Sequence, residues 1–155
     1  MIDWLAALRQ LHEHGEPAVL VSVVATQGSA PRDGGARMVY SDQAQFDTIG
    51  GGHLEWRAAA IARAMLPDPQ APARVDRIAL GPSLGQCCGG VVTLRFERVD
   101  ADCGLRLAVW EAAERRRRQA WPQVVLFGAG HVGTAIVHLL RTLPCRVLWV
   151  DARED

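Results

Sequence analysis

The chain has 155 residues, with 17 Lys+Arg balanced against 17 Asp+Glu and 49% of its residues hydrophobic. That length sets about one domain's worth of chain, large enough to bury a core without disulfide staples. Zero net charge gives no electrostatic pull toward nucleic acid or an anionic membrane, and no apolar stretch approaches the ~20 residues that span a bilayer.

The start, "MIDWLAALRQLHEHGEP", is amphipathic and carries acids, without the n-region and h-region of a signal peptide. The expected location is the cytoplasm. Four cysteines are there more often free, catalytic or ligating than disulfide-bonded.

Residues 3–14 predict a helix: Asp3 caps it, Leu5, Leu8 and Leu11 recur near helical spacing, and Gly15 stops it. "PAVLVSVVA", 17–25, is short and β-branched and predicts a buried strand. "TQGSAPRDGG" follows as a loop, and "ARMVYS" and "QFDTIGG" flank Asp42-Gln43 as a hairpin. The alanine-rich run 54–66 predicts a second helix, ended by the Pro-containing stretch 67–72. Two alternating strands, "ARVDRIAL" and "GVVTLRFERV", enclose "GPSLGQCCG".

Residues 105–118 predict a helix ending in the run Arg115–Arg118, which reads as a solvated helix face, and "QAWPQ" reads as a linker. The pattern then becomes strand 123–127, glycine-rich turn, helix 131–142 and strand 145–150. The expected class is α/β: a mixed α+β domain over 1–104, a helix and linker over 105–121, and a truncated Rossmann-like βαβ unit over 122–155.

Within that unit, Gly128, Gly130 and Gly133 stand in G-x-G-x-x-G spacing between an apolar strand and a helix, and Asp151 ends the second strand. This is the context a dinucleotide site requires. Gly128 permits the tight turn, Gly130 lets backbone approach a pyrophosphate, and Gly133 allows close helix–strand packing. Asp151 would meet ribose hydroxyls. Two strands are fewer than the order 3-2-1-4-5-6 of a doubly wound sheet. The expectation is therefore weak NAD binding or none, with two readings of the open sheet edge: the chain is a fragment, or another chain covers the edge, as in a homo-oligomer.

"SLGQCCGG", 83–90, sets Cys87 and Cys88 side by side among glycines. Adjacent cysteines lack the C-x₂₋₄-C spacing of a structural zinc site, so a zinc centre shared with His53 and Glu55 is not favoured. A buried structural pair and a thiol presented to a ligand remain as readings. The N–H groups of Gly89 and Gly90 are candidate donors to a thiolate.

Three separated segments, "TQGSAPRDGGARM" at 26–38, "TIGGGHLE" at 48–55 and "LGQCCGG" at 84–90, together with "FGAGHVG" at 127–133, closely resemble the XdhC/CoxI family. These are accessory proteins of xanthine dehydrogenase and related molybdenum hydroxylases. The resemblance implies an N-terminal XdhC/CoxI domain followed by a Rossmann domain. It implies a chaperone rather than an enzyme. Such a protein binds molybdenum cofactor (molybdopterin), protects it while a cysteine-desulfurase-like partner installs sulfur, and delivers it to the apo-hydroxylase.

Molybdopterin is an anionic, phosphate-bearing pterin whose metal is held by a dithiolene. Ser29 and Arg32 on the loop after the first strand, and Gly50, Gly51 and Gly52 before the second helix, are the residues suited to its phosphate. Gln86 is placed for the pterin. Cys87 and Cys88 offer soft sulfur to the metal, with Cys87 the favoured ligand. The rival from another class is an NAD(P)-dependent oxidoreductase, resting on the glycine-rich turn alone. A persulfide-carrying sulfur carrier overlaps the first reading.

Overall fold

The computed structural model describes residues 3–81, 89–100 and 102–152. These divide into two compact units, Met1–Leu107 and Ala108–Asp155.

Unit 1 begins with α1, Trp4–Glu13. The Asp3 side chain accepts the Ala6 amide at 2.8 Å, the side-chain cap that a helix start requires. Trp4, Leu5, Ala7, Leu8 and Leu11 bury one stripe, and Gly15 leaves the helix at φ +70. Strands β1 (Ala18–Gln27), β2 (Arg37–Tyr40), β3 (Gln45–Asp47), β4 (Arg74–Ala79) and β5 (Val91–Val99) form one sheet in the order β3-β2-β1-β5-β4. All its pairings are antiparallel.

Val19, Val21 and Val23 alternate along β1 onto one face. There they join Leu54, Ala58 and Ala62 of α2, Gly52–Met65, and Ile78, Leu94 and Phe96 of the neighbouring strands. This is the main core. Small residues on α2 let the helix lie close to the sheet. On the other side, Leu8 and Leu11 of α1 gather with Ala18, Val99, His12 and Cys103.

Helix α3 runs Gly104–Gln119. In it Glu114 is buried and receives Arg117 at 3.0 Å and Arg118 at 3.1 Å. Both guanidinium groups also sit over the Trp121 ring, at 5.9 and 5.8 Å. Half of the arginine run is therefore tied down locally rather than freely solvated.

In unit 2, β6 (Gln123–Phe127) and β7 (Arg146–Val150) pair in parallel, joined through α4 (His131–Leu140). They form their own two-stranded sheet, separate from the sheet that holds β1. Phe127, Val132 and Leu139 stay largely exposed, as expected for a βαβ unit with one layer of packing. No helix among the described residues is long and apolar enough to cross a membrane.

Candidate functional site

One end of the five-stranded sheet gathers segments that are far apart in sequence. Gln27 at the end of β1 pairs with Val91 at the start of β5, and Val91 pairs with Ala79 at the end of β4. The Leu80 amide donates to the Gly90 carbonyl at 2.8 Å, and the Gly90 amide donates to the Ser29 carbonyl at 3.0 Å. A Cβ on Gly90 would overlap the carbonyl oxygens of Gln27 and Ser29. Gly90 is glycine because main chain passes against main chain there.

This corrects one expectation. The Gly90 N–H is engaged by Ser29 and is not a donor held open for a thiolate; a Cβ on Gly89 meets nothing within 4 Å. Gln86, Cys87 and Cys88 lie outside the described residues, between these two anchored ends.

The 48–52 turn reaches the same region. Gly50 has φ +123, and a Cβ there would fall 2.5 Å from Pro31 Cγ and 3.5 Å from Arg32 Cγ. Only glycine combines that dihedral with so close an approach. The loop carrying Ser29 and Arg32 thus lies on the turn that opens α2. The helix was expected from residue 54; it begins two residues earlier, with Gly51 as N-cap at φ +79.

Glu55 holds the turn together. Its carboxylate accepts the Thr48 hydroxyl, the Ile49 amide at 3.0 Å, the Gly51 amide at 2.8 Å and the Gln45 side-chain amide at 2.8 Å. Burial pushes this carboxyl up, but the bonds from Thr48, Gly51, Gln45 and Ile49 outweigh it and hold it below its ordinary value. The Tyr40 hydroxyl donates to the Glu55 carbonyl at 2.9 Å. Burial first, then the Glu55 charge, push that phenol well above its usual range.

The glycine turn is therefore not a bare anion cradle, because Gly51 already serves a carboxylate. Two groups are left. The amides of Gly52 and His53 have no acceptor among the described residues. The exposed Arg32 has no ion-pair or hydrogen-bond partner among them. Ser29 is exposed and contributes its carbonyl to Gly90.

His53 lies against Trp56, ring centroids 4.9 Å apart. Among the described residues no group of three metal-ligating side chains comes together. Sequence reasoning missed the role of Glu55. The signal for Glu55 was an acid in the first turn of a helix that follows a glycine run.

In unit 2, Gly128 turns at φ +96, its amide donating to the Val150 carbonyl at 2.8 Å and its carbonyl accepting Trp149 Nε1 at 3.0 Å. A Cβ on Gly133 would overlap the Gly128 carbonyl, so helix and turn touch there. A Cβ on Gly130, the N-cap of α4, would meet nothing within 4 Å. Beside it lies a groove of about 400 Å³ lined by Leu126, Phe127, His131, Val132 and Ile136. The Asp151 carboxylate accepts the Ala129 amide, so the acid expected at a ribose also braces the turn.

Of the two described cysteines, Cys103 is buried, with its sulfur 3.7 Å from His12 Nδ1. Burial pushes its thiol up. Cys145 is partly exposed.

With this geometry in place, residues 11–76 match the model of the XdhC and CoxI family. An uncharacterized protein, YqeB, of Escherichia coli (strain K12) is 28% identical over 127 residues, covering 82% of this chain and 20% of that protein. A crystal structure described as a xanthine dehydrogenase from Bacillus halodurans superposes with a TM-score of 0.75 at 15% identity, over 97% of this chain and 63% of that one. At such identity the structural likeness concerns the fold alone. The chain spans about a fifth of the length of its curated relative.

Proposed function

We propose, for a chain whose residues 11–76 match the XdhC and CoxI family model, that it binds molybdenum cofactor and hands it to an apo-molybdenum hydroxylase such as a xanthine dehydrogenase. It acts as an accessory chaperone in the cytoplasm and not as an enzyme. The observation that carries the reading is the convergence at one sheet end. There main-chain hydrogen bonds join the Ser29 end of the Ser29–Arg32 loop to both ends of the segment bearing Gln86, Cys87 and Cys88, and the Pro31 and Arg32 side chains of the same loop lie against the Gly50 turn.

The residues present suit the ligand. Arg32 offers a planar fork to a phosphate and has no competing acid among the described residues. The amides of Gly52 and His53, without an acceptor among the described residues, add donors on the turn that the Arg32 stem meets. A thiolate from Cys87 or Cys88 supplies a soft donor for a sulfur-ligated metal. An ordinary cysteine ionises near pH 8.5, so the ligating one must be drawn into its thiolate form. The bound cofactor supplies the redox-active molybdenum centre; this chain's residues bind, orient and shield it. A cysteine-desulfurase-like protein is the sulfur-donating partner in this scheme, and a persulfide on one cysteine would be its intermediate form.

The test is co-purification from a host that makes the cofactor. Molybdenum and a pterin that fluoresces on oxidation should elute with the protein. Arg32→Ala should lower the amount bound. Of Cys87→Ala and Cys88→Ala, one should lose the metal while keeping its melting temperature. Parent-like loading in both cysteine variants sinks the ligand role of the pair.

A second reading has its own observation: the groove beside Gly130, with space above the helix start. It supports a dinucleotide at unit 2 and an NAD(P)-dependent oxidoreductase. Calorimetric titration with NAD(H) separates the two. Micromolar affinity favours the second, and none at millimolar ligand favours the first.

A further inference from the structure

The first turns of α2 carry an aromatic pair that the fold leaves unused. Trp56 is 65% exposed, and its ring meets the exposed His53 at an interplanar angle of 44°. At that tilt the imidazole does not lie flat on the indole, and most of the Trp56 side chain stays open to solvent. The core takes Leu54, Ala58 and Ala62 from this helix, and neither ring enters it. A single exposed aromatic needs no explanation, but this pair has a particular address. His53 follows Gly50 by three residues, at most ~11 Å of chain, and Gly50 is where the Arg32 stem crosses the turn. The Glu55 carboxylate between the two rings in sequence is directed at Thr48, Ile49 and Gly51.

We infer that His53 and Trp56 form a stacking platform for the planar ring of a phosphorylated heterocycle, such as a pterin, whose phosphate goes to Arg32. The inference rests on the reading of Arg32 as the anion site. The chemistry follows from the groups. An indole face is large, rigid and electron-rich, and stacks on a flat, electron-poor heterocycle with little loss of side-chain entropy. A guanidinium pairs with phosphate but does not distinguish what the phosphate is attached to. The platform therefore supplies the selection between a pterin phosphate and free phosphate.

The experiment is equilibrium binding to the 155-residue chain of three probes: 6-hydroxymethylpterin phosphate, unphosphorylated 6-hydroxymethylpterin and inorganic phosphate. The variants are Trp56→Ala, Trp56→Phe and Arg32→Ala. Trp56 lies on the solvent face, so its substitution should leave the melting temperature unchanged. Trp56→Ala should weaken the pterin phosphate by about tenfold, the scale of one aromatic–base stack. Trp56→Phe should restore most of that, and inorganic phosphate should be indifferent to both. If Trp56→Ala binds the pterin phosphate like the parent, the platform is wrong and the anion reading survives. If Arg32→Ala changes nothing while Trp56→Ala weakens both pterins, the anion reading fails and the platform stands. Absence of pterin phosphate binding by the parent overturns both.

Discussion

Replacing Glu55 by alanine removes the acceptor for four donors at once: the Thr48 hydroxyl, the amides of Ile49 and Gly51, and the Gln45 side chain. Gln45 is exposed and can turn to water, and the Thr48 hydroxyl can rotate to another acceptor. The two main-chain amides are fixed by the turn. A buried donor left unpaired costs about 1–3 kcal/mol; partial exposure of the carboxylate calls for the lower part of that range. Two amides then give about 2–3 kcal/mol. For a domain the size of unit 1 each kcal/mol moves the melting temperature by about 4 °C, so Glu55→Ala should melt about 8–12 °C below the parent. Glu55→Gln keeps one acceptor oxygen and loses the charge, and should give up about half as much.

Circular dichroism melts across pH provide the second readout. The folded carboxyl is held below its ordinary value of 4.5. Its contribution is therefore complete above that pH and is lost as pH falls through the lower folded value. The gap between parent and Glu55→Gln should hold at neutral pH and shrink as pH falls below the ordinary carboxyl value of 4.5. A Glu55→Ala variant melting within about 2 °C of the parent, or a gap constant down to acid, would refute the hub.

Other substitutions separate glycines that are sterically required from those that are not. Gly90→Ala forces a methyl into the carbonyls of Gln27 and Ser29. Its urea midpoint should fall by the equivalent of about 2–4 kcal/mol, whereas Gly89→Ala, with nothing within 4 Å, should stay within about 1 kcal/mol. Gly133→Ala pushes on the Gly128 carbonyl and should destabilise unit 2 by about 1–3 kcal/mol, read as faster hydrogen exchange along β6 and α4. Under native conditions iodoacetamide should modify the partly exposed Cys145 before Cys103, whose thiol is buried and pushed up; peptide mass spectrometry gives the order.

Much of the fold was legible because its signals are local. The Leu5, Leu8 and Leu11 stripe, the β-branched run along 17–25 and the Asp42-Gln43 turn are each local in sequence, and each signals helix, strand or reversal directly. The start of α2 was misplaced because glycine is a poor helix former. Only the geometry reveals Gly51 and Gly52 turning the chain into the helix at φ +79 and +65. Gly90 is the opposite kind of case. Its glycine was visible, but the carbonyls that exclude a side chain belong to residues 27 and 29, some sixty positions away, and no spacing rule carries that information. Glu55 sat in plain view as a helix acid, while its four partners depend on how the turn closes over it. Arg32 was chosen for its chemistry; that its stem crosses Gly50 is a tertiary fact.

The paired anchors at Leu80 and Gly90 also bear on how this protein can change over time. Both ends of the intervening segment are fixed to the sheet by main-chain hydrogen bonds, which do not depend on the side chains between them. Replacing side chains between the two anchors therefore leaves these main-chain bonds in place. Descendants of this architecture can trial new ligand chemistry at that position while inheriting the same folded platform.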